Sequence, residues 1–79
     1  MLKDQVALVS GAATGIGEAV ARLFAAQGAH VHILDRDVAG CQEVAASISA
    51  SGGRAVAYGG DVQSRADITA WVTGAARSN

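Results

Sequence analysis

Short apolar runs alternate along this chain with longer stretches in which apolar residues recur every three or four positions. Residues 5–10 (QVALVS) form the first short run, closed by Gly11, and read as a strand covered on both faces. Ile16, Val20, Leu23 and Phe24 follow at helical spacing and predict a helix over residues 15–27, with Gly28 as a left-handed cap. A second strand is predicted at His30–Asp35 (HVHILD), and Asp37 stands where an N-cap belongs. Val38, Cys41, Val44, Ala45 and Ile48 give the second helical stripe, ended by Gly52 and Gly53. Gly40 lies inside that stripe, where glycine costs about 1 kcal/mol relative to alanine. The third strand is residues 54–58 (RAVAY), and Ser64 with Asp67 three positions on predicts a capping box. Ile68, Trp71, Val72 and Ala75 then mark a third helix. Three strand–helix cycles with short strands predict an α/β chain, a βαβαβα unit with three parallel strands in order 3-2-1 and right-handed crossovers.

Composition narrows this picture. The 79 residues are 51% apolar and 16% charged, against roughly 25% charged in an average soluble domain. Intrinsic disorder needs the opposite balance. A chain of this size buries only about 60–65% of its unfolded surface, so an interior-like composition is unexpected on it. Six basic against seven acidic residues leave a net charge of −1 and no basic footprint for nucleic acid or an anionic membrane. No apolar run reaches the ~18 residues of a spanning helix, and no signal-peptide pattern is present, so a cytoplasmic location is expected. The single cysteine, Cys41, excludes an internal disulfide and paired-cysteine metal sites.

Candidate chemistry concentrates where the first strand meets the first helix, in Ser10-Gly11-Ala12-Ala13-Thr14-Gly15-Ile16-Gly17. Gly11 permits a sharp turn off the strand, Gly15 lets a pyrophosphate approach the main chain, and Gly17 allows close helix packing. The helix N-terminus offers N–H groups and partial positive charge to phosphates, and Thr14 adds a hydroxyl donor. No Gly-Lys-Ser/Thr follows, and the only lysine is Lys3, so this is not a Walker loop. Asp35 ends the second strand 18 positions after Gly17, near the spacing at which an acidic residue meets the adenosine ribose. A carboxylate there accepts from ribose hydroxyls and repels a 2′-phosphate, which favours NAD over NADP. Arg36 beside it softens that preference. Asp61 and Val62 end the third strand, where Asp61 can accept from an adenine amino group and Val62 can pack on the ring or donate its N–H. His30 and His32 share one strand face but lack a third metal ligand nearby, so no metal site is assigned. Cys41 and Trp71 read as core residues.

Together these landmarks resemble the short-chain dehydrogenase/reductase family. Its loop reads Thr-Gly-x-x-x-Gly-x-Gly, and residues 10–17 match with Ser10 in place of threonine. Asp35-Arg36 is similar to the family's NAD-preferring strand end, and Asp61-Val62 to its adenine-contacting pair. The resemblance spans essentially the whole chain and implies an NAD-dependent alcohol/carbonyl oxidoreductase. It also implies an Asn-Ala-Gly segment, a catalytic serine and a Tyr-x-x-x-Lys pair, none of which occurs here. Tyr58 is the only tyrosine and Val62 follows it by four. No catalytic residue is therefore assigned, and the chain is expected to be inactive alone. The expectation is a single incomplete domain over residues 1–79, the N-terminal half of a doubly wound Rossmann sheet that binds the adenosine-pyrophosphate end of NAD. Its first strand is expected to leave an edge open to self-association or to a missing C-terminal half. Two alternatives stay open at this level: a nucleotide-binding or interaction module without chemistry, and half of an S-adenosylmethionine methyltransferase.

Overall fold

A computed structural model describes residues 3–13 and 15–77; Thr14 therefore lies outside the described residues. The elements run β1 (Val6–Ser10), α1 (Gly15–Ala26), β2 (His30–Asp35), α2 (Val38–Ala50), β3 (Arg54–Gly59) and α3 (Arg65–Arg77). All pairing is parallel, with β2 between β1 and β3, which is the expected 3-2-1 order. Ser10 stands opposite Leu34, and Leu34 opposite Tyr58, so the three strands end at one level.

Alternation along the strands divides the sheet into two faces. Val9, Val31 and Ile33 meet Ala21 and Ala25 of α1 and Cys41, Val44, Ala45 and Ile48 of α2 in one core. His32 and Tyr58 point the other way, beneath α3, where the Trp71 indole N–H donates to the His32 carbonyl at 3.3 Å. β2 has helices over both faces, and Val31, His32, Ile33 and Leu34 are all buried. A strand so enclosed is expected to be apolar on both faces, and Val31, Ile33 and Leu34 fit that, with His32 the one buried polar side chain among them.

The first helix keeps half of the expected stripe: Val20 and Phe24 pack against the core. Ile16 is 84% exposed and Leu23 57% exposed, while α1 buries Ala21 and Ala25. Gly17, Ala21 and Ala25 fall at four-residue spacing and give α1 a face of small residues toward the sheet. Small side chains permit the close approach; Ile16 and Leu23 are turned outward, while Val20 and Phe24 stay partly buried against the core.

The capping box also forms only in part. Ser64 Oγ accepts the Asp67 N–H at 3.2 Å, as an N-cap does. The reciprocal bond is absent because the Ser64 N–H already donates to the Asp61 carbonyl at 2.9 Å. Asp67 instead accepts the Asp61 N–H at 2.9 Å. Gly40, costly by helix propensity, serves the start of α2: its N–H donates to Asp37 Oδ1 at 3.0 Å. A Cβ there would lie 2.5 Å from Asp37 Oδ2 and 3.2 Å from the Ala13 Cβ.

Candidate functional site

The carboxyl ends of β1, β2 and β3 and the loops that leave them form one rim. In open α/β sheets that is where ligands bind. A shallow depression of about 120 Å³ is lined there by Gly11, Leu34, Asp35, Arg36, Gly60 and Val62. Four of these, Gly11, Asp35, Arg36 and Val62, are candidates from the sequence. Leu34 and Gly60 are additions. Strand alternation turns Leu34 to the face opposite Ile33, and the Gly59-Gly60-Asp61 run carried the signal for Gly60.

Main-chain pairing continues past the strands and fixes the rim. The Gly11 N–H donates to the Leu34 carbonyl at 2.9 Å, and the Gly60 N–H to the Asp35 carbonyl at 3.1 Å. Gly11 and Gly15 have φ of 67° and 64°, a region that favours glycine. A Cβ on Gly15 would meet nothing within 4 Å, so open space lies over the start of α1. Gly17 is different: a Cβ there would collide with the Gly11 carbonyl oxygen and sit 2.6 Å from its carbon. The third glycine thus admits the backbone of the loop itself as well as the helix–sheet approach.

Asp35 joins two loops. Its Oδ2 accepts the Ala13 N–H at 3.0 Å and its Oδ1 the Asp37 N–H at 2.9 Å. The N–H groups of Asp37 and Ala13 hold its carboxyl below the ordinary carboxylate range, against an opposing effect of burial. Each oxygen keeps a second lone pair, so the carboxylate can still accept from a ligand. Arg36 is 79% exposed at its side chain and stands 3.9 Å from Asp61 Oδ2. Asp61 Oδ1 accepts the Gln63 N–H at 2.9 Å, and the Val62 N–H has no partner among the described residues. Glu18, in the first turn of α1, is bound by Arg22 at 2.8 Å.

Residues away from the rim are accounted for by packing. His32 Nδ1 lies 3.0 Å from the Tyr58 hydroxyl, and both rings sit under α3. Burial, with His30 nearby, lowers the pKa of His32. Cys41 is buried with its Sγ 3.7 Å from the Ile33 carbonyl, and burial raises its thiol pKa. A larger cavity of about 370 Å³ lies between the C-terminal ends of α1 and α2, lined by Ala25, Ile48 and Gly53 among others, away from the strand ends. No helix among the described residues is long and apolar enough to cross a membrane.

Comparison with known proteins bears on the family and the fold. The family model described as short chain dehydrogenase matches residues 5–78. The 2,3-dihydro-2,3-dihydroxybenzoate dehydrogenase of Bacillus subtilis (strain 168) is 42% identical over 67 residues, 85% of this chain and 26% of that protein. The cis-2,3-dihydrobiphenyl-2,3-diol dehydrogenase of Rhodococcus globerulus is 45% identical over 62 residues, 78% of this chain and 21% of that one. Among solved structures, the 3-ketoacyl-(acyl-carrier-protein) reductase from Brucella melitensis complexed with NADH superposes with a TM-score of 0.89 at 42% identity. The match covers 99% of this chain and 31% of that one. A metagenomic short-chain oxidoreductase in complex with NADP also gives 0.89, at 39% identity, covering 98% of this chain and 35% of that one. The chain thus spans about a quarter of the length of the curated relatives it matches. The methyltransferase alternative falls with these matches. The described strands and helices correspond to the N-terminal Rossmann half of the solved relatives, and the chain belongs to the short chain dehydrogenase family.

Proposed function

We propose that this unit binds the adenosine-pyrophosphate half of a nicotinamide dinucleotide, with NAD favoured over NADP, as the cofactor-binding segment of an alcohol/carbonyl oxidoreductase. The observation that carries the reading is the Asp35 carboxylate, held ionised on the rim beside Gly11 and Val62. The N–H groups at the start of α1, with Gly15, Ile16 and Gly17, receive the pyrophosphate, and Thr14 adds its hydroxyl. The open space over Gly15 fits a group that must approach the main chain. Asp35 accepts from the ribose hydroxyls and disfavours a 2′-phosphate. Arg36, exposed beside it, leaves some tolerance for NADP. Asp61 accepts from the adenine amino group, and the Val62 N–H, without a partner among the described residues, supplies the complementary donor.

A bound nicotinamide cofactor supplies or takes up the hydride. This chain's own part is to bind and orient its adenosine end. Tyr58, the only tyrosine, is engaged with His32 under α3, and so is not offered as an acid or base. The unit is read as a single incomplete domain over residues 1–79, with the free edge of β1 as the place where a further strand or a second copy would pair. A cytoplasmic setting agrees with a lone buried thiol.

Titration calorimetry with NAD, NADP, ADP-ribose and S-adenosylmethionine tests the reading. NAD and ADP-ribose are expected to bind and S-adenosylmethionine is not. Asp35→Ala is expected to weaken NAD far more than NADP, and equal losses would remove the ribose assignment.

A further inference from the structure

We propose that Asp67 is the positioning residue for the adenine end of the cofactor, its carboxylate on α3 fixing the Gly60-Asp61-Val62 turn that follows β3. The proposal rests on the cofactor reading above. Asp67 is not itself among the residues that line the depression. Its Oδ2 accepts the Asp61 N–H at 2.9 Å, in a half-buried setting. Its own N–H is held by Ser64 Oγ at 3.2 Å, and the Ser64 N–H holds the Asp61 carbonyl at 2.9 Å. The Asp61 main chain is thereby gripped at its donor by Asp67 in the first turn of α3 and at its acceptor by Ser64 just before it. The Gln63 N–H donates to Asp61 Oδ1, which leaves Oδ2 near Arg36, 3.9 Å from its Nε.

The same carboxylate also packs on the turn. A Cβ on Gly60 would lie 3.1 Å from Asp67 Cβ and 3.0 Å from Leu34 Cδ1, so Gly60 is wedged between α3 and β2. Two consequences follow for recognition. With the Asp61 N–H committed to Asp67, the donor left for the ligand is the Val62 N–H. The acceptor left is the outward oxygen of Asp61. Asp67 thus selects which groups of the turn face the ligand, and it does so from a charge placed where the α3 dipole favours it.

The test combines binding with amide exchange on the protein and its Asp67→Ala and Asp67→Asn variants. Asparagine keeps an acceptor oxygen of the same reach, whereas alanine removes it. Asp67→Ala is expected to weaken AMP and ADP-ribose binding about tenfold and to speed exchange of the Asp61 amide. Binding of inorganic pyrophosphate, which lacks adenine, is expected to stay unchanged. Asp67→Asn should restore both affinity and protection to near the native level. Unchanged AMP affinity in Asp67→Ala, or an equal loss for pyrophosphate, would overturn the positioning role while leaving the cofactor reading intact. A native protein that binds no adenine nucleotide would overturn the cofactor reading and this proposal with it.

Discussion

The carboxylate of Asp35 accepts the backbone N–H of Ala13 at 3.0 Å, across 22 residues of chain, and so ties the glycine loop to the end of β2. One side chain therefore has both a ligand-facing and a loop-holding role. Asp35→Ala is expected to speed hydrogen exchange at the Ala13 and Asp37 amides in the absence of any cofactor. Because those N–H groups depress the Asp35 pKa, the stabilisation is complete above the unfolded value near 3.8. It is lost as pH falls through the lower folded value. Exchange measured from pH 6 down to pH 3 should show the Ala13 protection fading only in the acid range.

The glycines of the loop predict two different failures. Gly15→Ala meets open space but forces a side chain onto a positive φ, at a cost of about 1–2 kcal/mol. Its larger effect should fall on cofactor binding. Gly17→Ala drives a methyl into the Gly11 carbonyl, which is backbone and cannot swing aside; overpacking of this kind costs about 1–3 kcal/mol. Urea unfolding should rank Gly17→Ala as the less stable variant. The opposite ranking would contradict the close approach.

Acid sensitivity should also come from beneath α3. Burial keeps the His32 imidazole below its usual pKa, so the unfolded chain takes up a proton near pH 6.5 that the folded chain refuses. Stability is full above that value and falls as pH drops toward the lower folded value. Trp71, the single tryptophan, bonds to the His32 carbonyl and reports on this region by fluorescence. Urea midpoints followed through Trp71 should fall between pH 7.5 and 5.5, and His32→Gln should flatten that fall.

Cys41 gives a readout of global opening. Its thiol is buried between β2 and β3, and its raised pKa leaves little thiolate at neutral pH. A thiol reagent is expected to label it at the rate of unfolding. Labelling as fast as that of a free thiol would place Cys41 outside the core.

Most of the fold was legible because short β-branched and apolar strands alternate with helical stripes, and β2, covered on both faces, carries Val31, Ile33 and Leu34 within six residues. The positions of Gly11, Asp35 and Val62 on one rim followed from strand–helix alternation alone. The packing face of α1 was legible only in part: Val20 and Phe24 lie against the core as their spacing predicts, Ile16 and Leu23 do not. Hydrophobicity ranks Ile16 and Leu23 above Ala21 and Ala25, whereas the close helix–sheet approach selects the alanines. The second role of Asp35 was hidden for another reason: a bond from Ala13 to a side chain 22 residues away leaves no local pattern. Asp67 was recognised as a helix-start residue, but its partner could not be named until the turn before it had a shape. The propensity cost assigned to Gly40 was likewise a local estimate, reversed by the needs of the Asp37 cap.

The level ends of the three strands make the rim depend on counting. Ser10, Leu34 and Tyr58 stand abreast, and every loop that reaches the depression starts within a residue or two of that line. A substitution on the rim changes its chemistry by degrees. Removing one residue from within His30–Asp35 would instead exchange the two faces of the strand. Ile33 and His32 would trade environments, and the Asp35 carboxylate would leave the reach of Ala13. Loop residues can be gained or lost between the turns at Gly28 or Gly52 with far less effect, since those lie at the other end of the sheet. The binding rim is thus tolerant of sequence and intolerant of arithmetic.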